Sequence, residues 1–448
     1  MSANTSRKWD RLYLGALSLC RIKIPREKPI ICAYTINIDK IITINGKQIQ
    51  NLCKGYERQI IEQLRKPKGY ISSPLDFLVG ILHYMGKGEG GEWAIHNKQA
   101  AEWINSNFEG NYEIGGTGAQ AAKALANLGV KAILHVTNLS RMQAEVLTNS
   151  RNLLIPAKQG FKTPFETIRK EDFPVLHYIG EFRKGTTVKI ADKKFIAMSD
   201  DRFITSYDPV NAKLNIDPNF STMTLRHIKN IKKAIISGYN SLRDGNMFKE
   251  KINKSVDQVK NWKKINPNLL IHLEEADLQS SIIRRYVAKR VYPFADSIGM
   301  NSHELQAVAR SLGLEIDISS EKELYKGTKF IFDTFQPKRI DVHSKSFSLT
   351  ITRNNPIRES YAQAFGCLVS ANRALTGKFG DLKNLEKINK TQSLSQEGLR
   401  IVDKIEKILL KSSKPGFNIS LCVAKEVKNP IHTVGLGDLY TAGVVSLL

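Results

Sequence analysis

The stretch "HTVGLGDLYTAGVVSLL", residues 432–448, joins a glycine turn to an apolar helix and so marks a strand–turn–helix unit. Gly435 and Gly437 flank Leu436 in the turn, and Asp438 follows directly. A glycine turn at a helix start presents backbone N–H groups at which an anion can bind. An acid there can also accept a proton from an alcohol. For one short motif alone, a plain turn with Asp438 as the helix N-cap is the stronger interpretation.

Units of the same kind recur along the chain. A glycine turn opens an Ala-rich helix in "EIGGTGAQAAKALANLG" (113–129). Strands such as "PIICAYTINID" (29–39), the first, and "LLIHLEEAD" (269–277) alternate with helices such as "SHELQAVARSLG" (302–313) and "SRMQAEVLTN" (140–149), of which Ser140 is the predicted N-cap. Repeated strand, turn and helix units predict a mostly parallel sheet with helices on both faces. The sequence therefore predicts an α/β fold.

Two segments interrupt this rhythm. "KIITINGKQIQ" (40–50) contains Asn45-Gly46 between β-prone runs, which predicts a hairpin with a type I′ turn. Residues 177–212 are rich in strand-forming residues. Both segments predict a second, β-rich subdomain.

The composition favours a globular protein with a large core. The chain has 448 residues, 42% of them hydrophobic, and a formal net charge of +24. The basic residues are scattered, without a basic run interleaved with aromatic residues. This pattern favours a solvated surface, or attraction of small phosphorylated anions, over a nucleic-acid partner.

The cysteines and the apolar runs indicate the compartment. The five cysteines are far apart and form no CxxC pair, which favours the reducing cytoplasm over a disulfide framework or a metal knuckle. The stretch "RLYLGALSLC" (11–20) is interpreted as a buried helix turn rather than an export signal. No apolar run reaches membrane-spanning length, so no membrane partner is predicted.

Acidic and amide side chains follow two strands of the predicted sheet. Glu274 ends one strand, and Asn301 and Glu304 lie three residues apart on one helix face after the next. Ligands of doubly wound sheets collect beyond such strand ends. One interpretation is that Glu304 and Glu274 hold a hydrated Mg²⁺ while Asn301 contacts a nucleotide phosphate. The alternative for Asn301 and Glu304 is a capping box.

A second polar group lies near the N-terminus. Asn37 and Asp39 end the first strand, and Gly115-Gly116 open a later helix. Amide and carboxylate groups bind polyols by planar hydrogen bonds, and a glycine pair lets a ligand approach the backbone. The structural alternatives are a turn at a hairpin start and a simple helix entry.

The order of these motifs resembles the ADP-dependent glucokinase/phosphofructokinase family of the ribokinase-like superfamily. The resemblance runs from about Ile30 to the C-terminus and includes the blocks "HYIGEFRKG", "IISGYNSL", "RIDVHSKSF" and "EVKNPIHTVGLGD". It implies a three-layer α/β/α large domain formed by residues 1–36, 53–85, 115–176 and 213–448, with a smaller β-rich lid domain formed by residues 37–52, 86–114 and 177–212. The oligomeric state stays open.

The resemblance implies phosphoryl transfer from ADP to a sugar hydroxyl, which leaves AMP. Asp438 then corresponds to the catalytic base, and Glu304 and Glu274 correspond to the Mg²⁺-associated acids. The other implied groups are the anion hole of Gly435, Leu436 and Gly437, the nucleotide contacts Asn301, Arg202 and Val434, and the sugar contacts Asp39, Asn37, Gly115 and Gly116.

The acceptor is a finer question. In this family an acid in the lid before the Gly-Gly turn accompanies glucose binding, and Glu92 matches it best, ahead of Glu89. Arg169 or Lys170, together with Arg202, would hold the 6-phosphate of fructose 6-phosphate. Both features together imply a bifunctional enzyme. An ATP-dependent ribokinase-type sugar or nucleoside kinase shares GxGD and is the alternative, and a non-enzymatic nucleic-acid-binding protein is the remote one.

The sequence departs from the family pattern directly after the motif. The family usually follows GxGD with Thr, a small apolar residue and Ser, whereas Leu439, Tyr440 and Thr441 stand here. We therefore expect a hydroxyl contact to be displaced or lost, and Tyr440 to crowd the pocket.

Overall fold

The structure is a computed structural model that describes residues 3–243, 245, 247–410 and 416–448. Its strands are β1 Ile30–Ala33, β2 Asn37–Thr43, β3 Tyr70–Ile71, β4 Gly91–Ile95, β5 Asn111–Gly115, β6 Ala132–Leu134, β7 Leu153–Ala157, β8 Gly160–Lys162, β9 Leu176–Phe182, β10 Thr187–Ile190, β11 Lys193–Ile196, β12 Asp201–Ser206, β13 Lys233–Ile236, β14 Leu270–Glu274, β15 Ser297–Asn301, β16 Arg339–His343, β17 Phe347–Thr352 and β18 Asn418–Val423. Its α-helices are α1 Ala3–Lys23, α2 Gly46–Leu52, α3 Glu57–Arg65, α4 Pro74–Lys87, α5 Lys98–Asn107, α6 Thr117–Asn127, α7 Arg141–Leu147, α8 Pro218–His227, α9 Phe248–Ile265, α10 Ser281–Arg290, α11 Ser302–Ser311, α12 Glu321–Phe335, α13 Pro356–Thr376, α14 Leu382–Thr391, α15 Gln396–Leu410 and α16 Leu436–Leu447.

The larger sheet has the strand order β18-β17-β16-β15-β14-β13-β1-β6-β7-β8. The strands from β16 to β7 run parallel, while β17, β18 and β8 add antiparallel pairs at the two edges. Central strands such as "IICA" of β1 are buried along their whole length, as expected where helices cover both faces of a parallel sheet. The predicted α/β fold is confirmed.

Two sets of helices cover this sheet. Helices α1, α6, α13 and α16 pack against one another, and α6 also packs on β1 and β6. Helices α8 to α12 form a second series of neighbours, which α15 joins through α12. Because α6 and α16 are neighbours, the helices that begin at Thr117 and Leu436 lie side by side.

The smaller sheet has the strand order β3-β4-β12-β9-β2-β5, and helices α2 to α5 accompany it; we call this unit the lid. It has a hydrophobic core of its own, to which Cys53, Ile60, Phe77 and Met85 contribute. The placement of residues 53–85 in the large domain is therefore wrong, because their apolar side chains pack on the lid sheet. The other domain boundaries stay predictions.

Two local predictions in the N-terminal region also need correction. The stretch 29–39 is not one strand, because the chain leaves the large sheet after β1 and enters the lid sheet at Asn37. Asn45-Gly46 makes no hairpin: Asn45 caps α2 by accepting hydrogen bonds from Lys47 N and Gln48 N. Asn serves equally well in turns and at helix N-caps, and a side chain at Gly46 would overlap the Thr187 carbonyl oxygen.

Two other local predictions, the helix at 11–20 and the Ser140 cap, are confirmed. The stretch 11–20 lies in α1, where Tyr13, Leu17 and Cys20 are buried. Ser140 caps α7 in a capping box with Gln143. Among the helices that the structure describes, none is long and apolar enough to cross a membrane.

Candidate active site

A cavity of about 230 Å³ lies where the lid faces the large domain. Its walls come from both units, since lid strands and the starts of α6 and α16 contribute side chains to it. The lining residues that the sequence predicted are Asn37, Asp39, Glu92, Gly116, Arg202, Val434, Gly435 and Asp438. The lid strands and the C-terminal motif thus meet in one site.

Gly435 sets the geometry of the GxGD turn. Its φ of 68° lies in the left-handed region, which glycine adopts without strain. A side chain at Gly435 would overlap the Gln120 amide, so glycine lets α6 and α16 approach closely. Gly435 is the N-cap and α16 begins at Leu436, so Asp438 is not a capping residue. Two helix N-termini therefore open at the cavity and favour an anion there.

Asp438 has the electrostatics of a base. Burial and, to a smaller extent, the charge of Glu274 raise the pKa of its carboxyl from 3.8 to about 7, against the opposing effect of a hydrogen bond from Thr117. A carboxyl that titrates near neutral pH can exchange a proton with a substrate hydroxyl. Asp438 lines the cavity, so the group is available to a ligand.

Asn37 and Asp39 lie opposite Asp438 in the cavity wall. The Asn37 amide donates to Asp39 Oδ1 at 2.6 Å, and burial raises the pKa of Asp39 to about 6. Gly115 pairs with Asn37 in the lid sheet, and a side chain there would overlap Asp39. Gly116 lines the cavity, while Gly115 lies behind it. This wall offers carboxylate and amide groups of the kind that bind polyols.

Sequence reasoning missed a histidine in the same wall. His177 is the second residue of β9, the strand that pairs with β2, and its Nε2 lies 3.0 Å from Asp208 Oδ2. Burial lowers the pKa of His177, but the hydrogen bond and charge of Asp208 outweigh it, and the net shift is upward. His177 lies within the quoted block "HYIGEFRKG", but only the lid sheet brings it beside Asp39 and Glu92.

The basic residues that line the cavity are not the ones that were predicted to bind a 6-phosphate. Arg169 and Lys170 do not line the cavity: the Arg169 guanidinium is 2.8 Å from Asp217 Oδ2, and Lys170 is exposed elsewhere. The prediction that this pair holds a 6-phosphate is therefore not supported. Arg202 does line the cavity, and so does Arg243, which sequence reasoning missed.

The predicted metal acids lie behind the cavity. Glu274 Oε2 accepts hydrogen bonds from Thr441 Oγ1 at 2.7 Å and, at 2.9 Å, from His272 Nε2. Burial raises the pKa of Glu274 to about 7 and that of Glu275 likewise to about 7. Burial and the charges of Glu274 and Glu275 also raise the pKa of Glu304. The three carboxyls thus crowd one another.

A hydrated Mg²⁺ fits this donor set. The oxygens of crowded carboxylates suit this cation, which keeps most of its waters and needs only one or two carboxylates. Within the described part of the chain, no group of three or more His, Cys, Asp or Glu side chains converges as direct metal ligands. The assignment of Glu274 and Glu304 to Mg²⁺ stays a prediction.

Asn301 and Glu304 form a capping box, which the sequence analysis gave as the alternative to metal and phosphate binding. Asn301 Oδ1 accepts from Glu304 N at 2.9 Å, and Glu304 Oε2 accepts from Asn301 N at 2.7 Å. These bonds begin α11 directly after β15. One Glu304 oxygen remains outside the box, so the cap and metal binding are compatible. Neither residue lines the cavity.

The residues after Asp438 do not crowd the cavity. Leu439 and Tyr440 are buried in the large core, and the Tyr440 ring packs on His343 with centroids 4.8 Å apart. The expectation that Tyr440 narrows the pocket is wrong, because its side chain points away into the core. The hydroxyl of Thr441 has a clear use, since it bonds to Glu274. Gly437 leaves room for His343, because a Cβ atom at position 437 would lie 3.0 Å from His343 Nε2.

The sequence of the chain is similar to those of known proteins. The profile of the "ADP-specific Phosphofructokinase/Glucokinase conserved region" matches residues 28–446. The chain belongs to this family. A relative in the ADP-specific phosphofructokinase/glucokinase family is the ADP-specific phosphofructokinase of Thermococcus litoralis, which is 29% identical over 92% of this chain and 95% of its own. The ADP-dependent glucose/glucosamine kinase of Pyrococcus furiosus is 26% identical, with 96% of each chain covered.

Solved structures of the family have the same fold. An ADP-dependent kinase in complex with fructose 6-phosphate and ADPβS is similar with a TM-score of 0.84, 26% identity, and coverage of 98% of this chain and 97% of that one. The last common ancestor of ADP-dependent phosphofructokinases from Methanosarcinales has a TM-score of 0.81 at 26% identity, with 98% of each chain covered. The predicted family is confirmed. These matches favour an ADP-dependent sugar kinase over an ATP-dependent kinase or a nucleic-acid-binding protein.

Proposed function

We propose that this protein transfers the β-phosphoryl group of ADP to a hydroxyl of a hexose or hexose phosphate. One observation carries the proposal: Asp438 and Asp39 line the same cavity, one from a helix N-terminus and one from the lid. A base beside an anion site on one wall, and polyol-binding groups on the other, suit phosphoryl transfer to a sugar.

Asp438 acts as the general base in this reaction. Its carboxylate takes the proton of the acceptor hydroxyl, whose oxygen forms a bond to the β-phosphorus of ADP. The bond from that phosphorus to the bridging oxygen breaks, and AMP leaves. The pKa of Asp438 near 7 leaves a useful fraction of the ionised form at neutral pH.

Backbone N–H groups stabilise the transferring phosphoryl group. The backbone N–H groups from Gly435 to Asp438 lie at the start of α16, where N–H groups have no carbonyl partner within the helix. Preorganised donors at the place where charge develops are a large contribution to catalysis. Arg202 and Val434 border the same space and would contact the nucleotide.

A divalent cation completes the proposed site. Glu304 and Glu274 would hold Mg²⁺ through water, and Asn301 would contact a nucleotide phosphate. When bound, the ion neutralises negative charge on the nucleotide. Thr441 and His272 keep the Glu274 carboxylate in one orientation for this role.

The acceptor range follows from two side chains in the cavity wall. Glu92, beside His177, would accept hydrogen bonds from glucose hydroxyls. Arg243 would bind the 6-phosphate of fructose 6-phosphate in place of Arg169 and Lys170. We infer that the enzyme accepts both sugars; among its relatives, one is named a phosphofructokinase and another a glucose/glucosamine kinase.

The cytoplasm is the proposed compartment. All five cysteines are buried and unpaired. Free thiols of this number are typical of a reducing environment.

An assay of two donors against two acceptors tests the proposal. Purified protein with Mg²⁺ receives ADP or ATP as donor, and glucose or fructose 6-phosphate as acceptor. We expect AMP and a phosphorylated sugar with ADP only. Turnover with ATP alone would identify a ribokinase-type kinase instead, and salt-sensitive binding of random duplexes without turnover would identify a nucleic-acid-binding protein.

A further inference from the structure

The segment 431–434, which we call the approach loop, leads directly into Gly435. Its backbone is fastened to the large domain, because Ile431 N and His432 N both donate to the Ala374 carbonyl, at 2.9 and 3.3 Å. Ala374 lies near the end of α13, which packs against α16. The position of this loop therefore sets where the first amides of α16 lie.

The approach loop also contacts the lid at Glu113. His432 Nδ1 is 3.3 Å from Glu113 Oε2, and the Arg373 guanidinium pairs with the same oxygen. Arg373 and His432 are buried. Burial and the charge of Arg373 lower the pKa of His432 to about 4, so a neutral imidazole ring lies against the Glu113 carboxylate.

A second contact joins the loop to two other lid strands. Arg202 donates from a guanidinium nitrogen to Thr433 Oγ1 at 3.2 Å, and the Thr433 hydroxyl donates to Glu181 Oε1 at 3.2 Å. Arg202 and Glu181 are cross-strand partners of β12 and β9. The loop is thus held by the lid on two sides.

Glu113 is also a direct neighbour of the proposed sugar site. It pairs with Asp39 in the antiparallel register of β5 and β2, and cross-strand partners project to the same face of a sheet. Movement of the lid against the large domain must therefore change the Glu113 contacts and the position of Asp39 together.

We propose that Glu113 is a positioning residue that links the lid to the approach loop, so that the α16 amides and Asp438 take their working position only when the lid is closed. This inference rests on the proposed sugar kinase activity. Glu113 touches neither substrate nor the reacting atoms in this scheme. It acts through His432 and Arg373.

The test compares Glu113→Ala with Glu113→Gln, in the full chain. Removing a charged hydrogen-bond acceptor from a buried partner is expected to lower kcat about tenfold or more, while the Kd for ADP, measured without sugar, changes less than about twofold. Gln keeps an acceptor oxygen for His432 and should recover part of kcat. Glu109→Ala, at an exposed acid just before β5, is the matched control and should keep wild-type kinetics.

Hydrogen exchange gives a readout that does not depend on turnover. We expect faster exchange of the amides of residues 431–438 in Glu113→Ala, with the cores of α13 and the lid sheet unchanged. Unchanged exchange in that segment, or a kcat within about twofold of wild type in an active enzyme, would overturn the proposal. If the wild-type protein phosphorylates no sugar with ADP, the proposed function fails, and the exchange result still decides the role of Glu113. If Glu113→Ala does not fold, the same measurements on Glu113→Gln decide it.

Discussion

Thr441 Oγ1 donates a hydrogen bond to Glu274 Oε2 at 2.7 Å, and so links the helix of the proposed base to the proposed metal acid. Thr441 lies one helical turn after Asp438, and β14 carries Glu274. One helical turn therefore sets the distance between the base and the threonine that holds Glu274.

Replacing Thr441 with Val should disturb Glu274 while preserving side-chain shape. The buried carboxylate loses one donor, which costs about 1–3 kcal/mol when nothing replaces it, and its pKa should rise further. We expect a weaker apparent affinity for Mg²⁺ and an acid limb of kcat shifted to higher pH. Thr441→Ser retains the hydroxyl and serves as the control. Equal Mg²⁺ titrations for Val and Ser would argue against this contact.

Replacing Asp438 with Asn removes the base but keeps a similar shape. We expect kcat to fall by about 10²–10⁴-fold, while calorimetric binding of ADP is retained. The wild-type kcat should rise with pH through about 7, because burial raises the pKa of Asp438 to about 7 and only the ionised form accepts a proton. Near-normal turnover by Asp438→Asn would exclude this residue as the base.

Glu274→Gln should change how stability depends on pH. Burial raises the pKa of Glu274 from 4.5 to about 7, so between these values the folded protein binds more protons than the unfolded chain. The stability contribution of Glu274 is present below that window and is lost as pH rises through it. The free energy of unfolding of the variant, relative to that of the wild type, should therefore increase as pH rises, by up to about 1.4 kcal/mol per pKa unit. Denaturant unfolding at several pH values, with exposed Glu109→Gln as control, measures the difference.

Gly435→Ala should damage both stability and turnover. A non-glycine residue at this left-handed φ costs about 1–3 kcal/mol, and the new methyl group would also overlap Gln120. Gly86 provides the matched control, because it lies in α4 with open space around it. Gly86→Ala should stabilise the protein by about 0.5–1 kcal/mol. Unfolding free energies from denaturant titration compare the two, and equal stabilities would contradict the proposed close approach.

Arg243→Ala and Arg169→Ala should separate the two candidate phosphate-binding residues. Arg243 lines the cavity, so its loss should raise KM for fructose 6-phosphate by about tenfold or more and leave KM for glucose nearly unchanged. Arg169 is paired with Asp217, so its loss should affect stability and neither KM. A KM effect from Arg169→Ala alone would restore the original assignment.

Features that depend on near neighbours in the chain could be predicted. The α/β alternation, the Ser140 cap, the Asn301–Glu304 box and the GxGD turn each depend on a few consecutive residues. Where two local signals competed, the prediction failed: Asn45 suited both a turn and a helix cap, and in the structure it caps α2.

The sequence by itself determined the strand, turn and helix units and the residue types at their ends, because these follow from local periodicity and capping. Only the tertiary structure decided which of those ends share a cavity. It brought in His177 and Arg243, left out Arg169, and gave Thr441 its partner Glu274. The physical reason is that these residues lie far apart along the chain, and their contacts depend on crossovers between two sheets that no local pattern specifies.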